Sequence, residues 1–246
     1  MIYFVVLAVS LLCSAVGFHM YIYFFSLGYG MAVAGLGIAY LVLFHGSMDA
    51  GTVALCTLLV LYGVRLAGYL LVREMRSKAY RQVLSPELKR SAQMPLGAKY
   101  GLWIVCGILY VLQTSPVFFR LFNGAPTGIS VWVGFAIMVM GLALETAADL
   151  QKTMAKRKNA RRFVSTGLYS FVRCPNYLGE LIFWVGVFVS GAVTLRGAVQ
   201  WGCAIAGLLL IVWIMFSGAR RLEIRQDRNY GEDPEYQQYC QSVPIL

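Results

Sequence analysis

What this chain lacks first is charge. No Asp, Glu, Lys or Arg occurs before Asp49, and charged residues are 13% of the 246, where a soluble domain carries about 25%. That excludes an ordinary soluble globular protein. It also excludes nucleic acid as a partner, since no basic soluble module exists to carry it. Cysteine is sparse: the six, at 13, 56, 106, 174, 203 and 240, form no C-x-x-C pair, so neither a disulfide framework nor a zinc or other metal site is expected. There is no G-x-G-x-x-G and no P-loop, so a nucleotide site here is of neither Rossmann nor Walker type. The two histidines, His19 and His45, lie at the ends of apolar runs, where interfacial placement explains them. No repeat, low-complexity tract or linker divides the chain, which reads as a single domain over 1–246.

What is present is apolar sequence, 59% of the residues, with mean hydropathy +0.67. Seven runs stand out, at 3–25, 30–45, 52–72, 100–117, 128–148, 177–194 and 198–217, near the ~20 residues that a helical span needs. They predict an all-α, polytopic membrane protein with seven transmembrane helices. The first run has no basic leading region and no small-residue cleavage pattern, so it reads as a span rather than a cleaved signal peptide. The connections at 73–99 and 149–176 and the tail hold eighteen Lys and Arg, against Arg120 and Arg196 in the opposite connections. This bias places the N-terminus outside and the C-terminus in the cytoplasm. The expected location is multi-pass in a bilayer: the inner membrane of a bacterium or the endoplasmic reticulum of a eukaryote. A monomer is expected.

The net charge of +10 follows in part from that orientation and from attraction to anionic lipid. The interleaved acids do not. Arg173 to Glu180, R-C-P-N-Y-L-G-E, closes a basic cluster and opens the sixth run. Pro175 suits a helix's first turn, because it has no N–H to leave unpaired there. Asn176 and Glu180 then share one helix face, about one turn deep. A carboxylate at that depth is costly unless it meets a cavity or a partner, so it marks a functional site; the plain alternative is a helix start with one snorkelling acid. In the fifth run Glu145 and Asp149 are one turn apart, and Lys152 and Lys156 continue the stripe. Acids running into cations suit a ligand with hydroxyl or amide donors at one end and phosphates at the other, as a nucleotide cofactor has. In the tail Glu223 and Asp227 share a helix face, although a solvated extension laced with i,i+4 charge pairs has the same pattern.

Several segments carry a family resemblance. Thr166-Gly167-Leu168-Tyr169, then Arg173-Cys174-Pro175-Asn176-Tyr177-Leu178-Gly179-Glu180 with Trp184 four beyond, resemble the core of the steroid 5α-reductase family and its relatives, the sterol reductases. Glu145-x-x-x-Asp149-x-Gln151-Lys152, Arg65-x-x-x-Tyr69, and the tail with Tyr230-Gly231, Tyr236, Tyr239 and Val243-Pro244 are similar too. The resemblance covers about 60–246 and is specific from 145 onward; before that, Gly28-Tyr29-Gly30 looks like a cytoplasmic-loop element of some members. It implies an NADPH-dependent oxidoreductase. The reaction implied is reduction of a C=C bond conjugated to a ketone in a lipid-soluble substrate, a 3-oxo-Δ4-steroid going to the 5α-dihydro steroid. It implies cofactor contacts at Asp149, Lys156, Arg162, Tyr169, Arg173, Asn176, Glu180, Glu223 and Asp227. Tyr69 and Glu180 are the implied catalytic residues, with Tyr69 and Trp184 at the substrate. Tyr69 would polarise the ketone as an oxyanion donor does, its hydroxyl ordered by Arg65 one turn away; without the resemblance it reads as a tyrosine of the interfacial belt.

Three departures stand out. Cys174 replaces a common His or Gly, and Glu223 and Asp227 fall where 5α-reductases commonly have His and Tyr. The glutamate that animal members carry on the second span is absent, since no acid precedes Asp49. Asp49 itself reads as a helix cap. Two other classes share parts of the pattern. An isoprenylcysteine-methyltransferase-like enzyme has the tail and the Pro-x-Tyr entrance but would use S-adenosylmethionine, which the acid-then-basic stripe disfavours. A non-catalytic lipid-binding or scaffold protein would need no Glu180 beside Asn176.

Overall fold

The computed structural model describes the backbone of all 246 residues and the side chains of all but those at 78, 79 and 83. Among the described residues it is all-helical, with no strand. Nine α-helices follow in order: α1 (Ile2–Ser14), α2 (Leu27–Leu43), α3 (Ala50–Arg76), α4 (Lys78–Gln93), α5 (Leu96–Phe122), α6 (Ile129–Lys158), α7 (Pro175–Ala192), α8 (Gly197–Tyr230) and α9 (Pro234–Ser242). Four of them, α3, α5, α6 and α8, are long and apolar enough to cross a membrane, and the apolar segments at 2–18 and 27–43 are shorter. The chain forms two compact units. The first comprises Met1–Phe135 and Val187–Gly207, the second Ala136–Gly186 and Leu208–Leu246.

In the first unit α2 and α3 meet through reciprocal glycines. A Cβ on Gly63 would lie 2.3 Å from the Gly30 carbonyl oxygen, and one on Gly30 would lie 2.7 Å from that of Gly63. Ala34 and Ala67 follow four residues on in each helix, so the crossing is of the small-xxx-small kind that lets helix backbones touch. Gly28-Tyr29-Gly30 is therefore not a loop element: it opens α2 and is buried. The apolar run expected over 3–25 is not one helix either. It leaves α-helical geometry after Ser14 and turns through two 3-10 segments, Ala15–Phe18 and Tyr21–Phe25. The fold-back gathers aromatic rings, with Phe18 at 5.4 Å from Phe24, 5.1 Å from Tyr100 and 5.2 Å from Trp103.

Asp49 caps α3, as its position suggests, in a reciprocal capping box with Thr52. It also accepts hydrogen bonds from the backbone N–H and the hydroxyl of Thr127, just before α6. Burial alone would raise the Asp49 pKa, but the donors of Thr127 and Thr52 outweigh it and hold the carboxyl below its ordinary range. In the 73–99 connection α4 is an amphipathic helix. Tyr80, Leu84, Glu87 and Ser91 lie on its inner stripe, and Tyr21 donates its hydroxyl to Glu87 and its N–H to Ser91 (3.1 Å).

The second unit contains most of α6, the loop 159–174, the start of α7, the charged half of α8, and α9. Both α6 and α8 run about ten residues past their apolar segments, to Lys158 and Tyr230. Those extensions are rich in Lys, Arg, Glu, Gln and Ala, which hold helix in water.

Candidate functional site

The second unit is built around a crossing of α6 and α7. A Cβ on Gly141 would lie 2.4 Å from the backbone nitrogen of Phe183, and one on Gly179 would lie 2.6 Å from that of Glu145. Only glycine permits this approach. It sets the first turns of α7 against the acid-bearing turn of α6. Glu145, Asp149 and Glu180 are each no more than 6% exposed, and a buried carboxylate is costly unless it has a job or a partner. Trp184 is fully buried one turn after Glu180, its ring 5.4 Å from that of Phe183.

Ahead of α7, the loop is pinned at several points. Gly167 takes φ +64, a conformation that L side chains rarely adopt. Beside it the Leu168 N–H donates to Gln151 Oε1 at 2.9 Å. Tyr169 is buried and donates its hydroxyl to the Ala148 carbonyl at 3.3 Å, while its own carbonyl accepts the Tyr239 hydroxyl at 2.6 Å. The tail closes on the next residues. The backbone N–H groups of Arg173 and Cys174 donate to the carbonyls of Pro244 (2.8 Å) and Ile245 (3.0 Å). Phe163, Tyr236 and Tyr239 form a buried aromatic cluster between loop and tail, flanked by Tyr230, Cys240 and Val243.

The cations of the loop are ordered by the same surroundings. Lys156 donates to the carbonyls of Ala160 (3.2 Å) and Arg162 (2.5 Å) and to the Tyr230 hydroxyl (3.0 Å). Arg162 pairs with Glu235 of α9. Arg173 pairs with Glu223 at 2.6 Å and donates to Cys240 Sγ at 3.2 Å. Burial would lower the Arg173 pKa, and Glu223 more than reverses that, so the guanidinium stays charged. Burial pushes the Cys174 thiol up to about 11, which leaves it protonated and unreactive near neutrality. Asp227 accepts the Tyr236 hydroxyl at 2.7 Å. Asn176 Oδ1 is buried and accepts no hydrogen bond among the described residues.

All nine residues marked from the sequence as cofactor contacts, and Trp184 with them, thus belong to this one compact unit. Tyr69 belongs to the other. It is half-buried on α3, with the guanidinium of Arg65 at 5.6 Å and that of Arg73 at 5.4 Å from its ring centre. Arg73 was foreseen only as part of a basic connection, although the spacing 65, 69, 73 carries it onto the same face. Three other contributors have partners that the sequence did not predict, although Tyr239 stands among the tail residues of the resemblance. Glu235 and Tyr239 act across about 70 residues of chain, and no local pattern could have paired them. Gln151 stood inside a quoted motif, but its part in holding Leu168 depends on the turn at Gly167.

One family model, described as a protein of unknown function (DUF1295), matches residues 24–243. Comparison with the curated proteins and with the solved structures gave no match.

Proposed function

This chain belongs to the DUF1295 family, and we propose that it is an NADPH-dependent membrane reductase of the steroid 5α-reductase type. Its substrate in this reading is a lipid-soluble enone, foremost a 3-oxo-Δ4-steroid. The proposal includes seven spans with the N-terminus outside, the tail and cofactor site on the cytoplasmic side, and a multi-pass place in the bilayer. The resemblance of 145–246 to that family supports it, as does the setting of the nine marked cofactor residues in one unit.

The observation that carries the reading is Asn176 Oδ1, a buried acceptor with no hydrogen bond among the described residues, one turn from the buried Glu180. An acceptor held this way is expensive unless a ligand donor meets it. A nicotinamide carboxamide supplies such a donor. The buried acids Glu145 and Asp149 at one end, and Lys156, Arg157, Lys158, Arg161 and Arg162 at the other, fit the ribose hydroxyls and the phosphates of a phosphorylated dinucleotide. When bound, NADPH supplies the hydride. Asn176 and Glu180 orient the carboxamide and so select a ring face. Lys156 and Arg162 hold phosphate, and Arg173, tied to Glu223, fixes the start of α7. Tyr169 anchors the loop, and Asp227 ties the tail through Tyr236. On the substrate, Tyr69 is the assigned donor to the ketone oxygen, where charge collects as the β-carbon is reduced; the two guanidiniums flanking its ring hold it in place. Trp184 is the proposed apolar contact.

The test is ligand binding to the purified chain. NADPH is expected to bind more tightly than NADH, by calorimetry and by nicotinamide fluorescence, with Asn176→Ala weakening NADPH. A panel of enones then identifies the one whose reduction consumes it. Equal affinity for the two nucleotides overturns the phosphate assignment. Binding of S-adenosylmethionine in place of NADPH overturns the reductase reading in favour of a methyltransferase.

A further inference from the structure

We infer that Glu235 occupies Arg162 in the place of a ligand phosphate, and so sets how strongly this loop selects phosphorylated over unphosphorylated ligands. The inference rests on the nucleotide reading above and deepens it. The Arg162–Glu235 pair is exposed on both sides, at 51% and 59% of the side chains, so burial does not impose it. Its neighbours do. Phe163 and Tyr236, the next residue along in each case, are buried with their rings edge to face at 5.2 Å. The backbone of Glu235 is fixed as well, because its N–H donates to the capping carboxylate of Asp233 at 2.9 Å. Position alone therefore brings an acid to a cation within the most basic segment of the unit.

Carboxylate and phosphate oxygens take the same guanidinium N–H donors. A phosphate arriving at Arg162 has to displace Glu235 or share the guanidinium against its charge. A dianion gains enough from the surrounding cations to do so, and a ligand that brings only hydroxyl groups does not. Lys156 cannot substitute for Arg162 without giving up its carbonyl and Tyr230 contacts. Glu235 is thus a specificity-determining residue rather than a catalytic one.

The experiment is calorimetry on the full chain in detergent with adenosine 2′,5′-bisphosphate, adenosine and inorganic phosphate as probes. Wild type is compared with Glu235→Gln and with Glu232→Gln, an exposed acid three residues away, each also in an Arg162→Gln background. Glu235→Gln is expected to tighten the bisphosphate and inorganic phosphate about two- to fivefold, the scale of an exposed ion pair, with adenosine unchanged. The gain is expected to vanish with Arg162→Gln and to shrink in high salt. No gain, an equal gain from Glu232→Gln, or a gain that survives Arg162→Gln overturns the inference. A gain for inorganic phosphate alone, in a protein that binds neither nucleotide nor NADPH, sustains the anion site and overturns the nucleotide reading. Failure of every variant to bind any phosphate probe overturns the inference, and NADPH binding then decides the reading separately.

Discussion

Tyr239 donates its hydroxyl to the backbone carbonyl of Tyr169 at 2.6 Å, and both side chains are buried. This bond joins the tail to the loop ahead of α7 at the point where the Gly167 turn ends. Burial pushes the Tyr239 phenol up to about 12, so it remains a donor across the physiological range.

Tyr239→Phe keeps the ring in the aromatic cluster and removes that donor alone. A buried carbonyl left unpaired costs about 1–3 kcal/mol, which thermal unfolding reads directly. Cys174 next to it reports the local consequence: its maleimide labelling is expected to speed up. An unchanged labelling rate would mean that the tail does not hold the entrance of α7.

Gly179→Ala tests the crossing of α6 and α7. The new methyl would lie 2.6 Å from the Glu145 nitrogen, against backbone that cannot yield as a flexible side chain can. Overpacking of this kind costs about 1–3 kcal/mol or more. Gly218→Ala is the comparison, since the nearest atom there is 3.5 Å away on the Tyr177 ring. Equal melting temperatures for the two variants would remove the close approach as a constraint.

Asp49→Asn probes the cap that also reaches Thr127. Hydrogen bonds hold the folded-state pKa of Asp49 below the ordinary value of about 3.9. A depressed carboxylate adds stability that is present above its unfolded pKa and is lost as pH falls through the folded pKa. Wild type is therefore expected to exceed the variant in stability at pH 5–7, with the gap closing below about pH 4. A gap of constant size down to pH 2 would assign the effect to something other than this carboxylate.

Tyr69→Phe addresses the proposed donor to the ketone. Loss of one oxyanion donor is expected to cost about 2.7–4 kcal/mol of barrier, roughly a hundredfold to a thousandfold in rate. Single-turnover oxidation of NADPH with an enone at saturation measures it, with NADPH affinity unchanged. A drop of less than about threefold, under 1 kcal/mol, would return Tyr69 to the interfacial belt.

The helices were legible because their signal is local. Apolar runs near the length of a bilayer located the cores of α2, α3 and α5 to α8, and Asp49 ahead of its run was readable as a cap. Where the reading fell short, tertiary contact had overridden local pattern. The run at 3–25 is apolar throughout, yet Phe18 and Phe24 pack on one another and the helix stops at Ser14. α4 carries too few apolar residues to announce itself, and its inner stripe makes sense only with Tyr21 beside it. At the candidate site the residue types were readable, because Asn176 and Glu180 stand one turn apart in sequence. Their restraint was not. It comes from Glu223, Glu235, Tyr239 and two tail carbonyls, all distant along the chain.

The two tail carbonyls also order events during synthesis. The N–H groups of Arg173 and Cys174 wait for Pro244 and Ile245, which are translated about 70 residues later. At ~5–20 residues per second, α7 is synthesised several seconds before the loop ahead of it can be closed. Synthesis of α7 and closure of the polar site at its start are therefore separate events in the life of the chain, and a translational pause ahead of Pro244 would leave the first accomplished without the second.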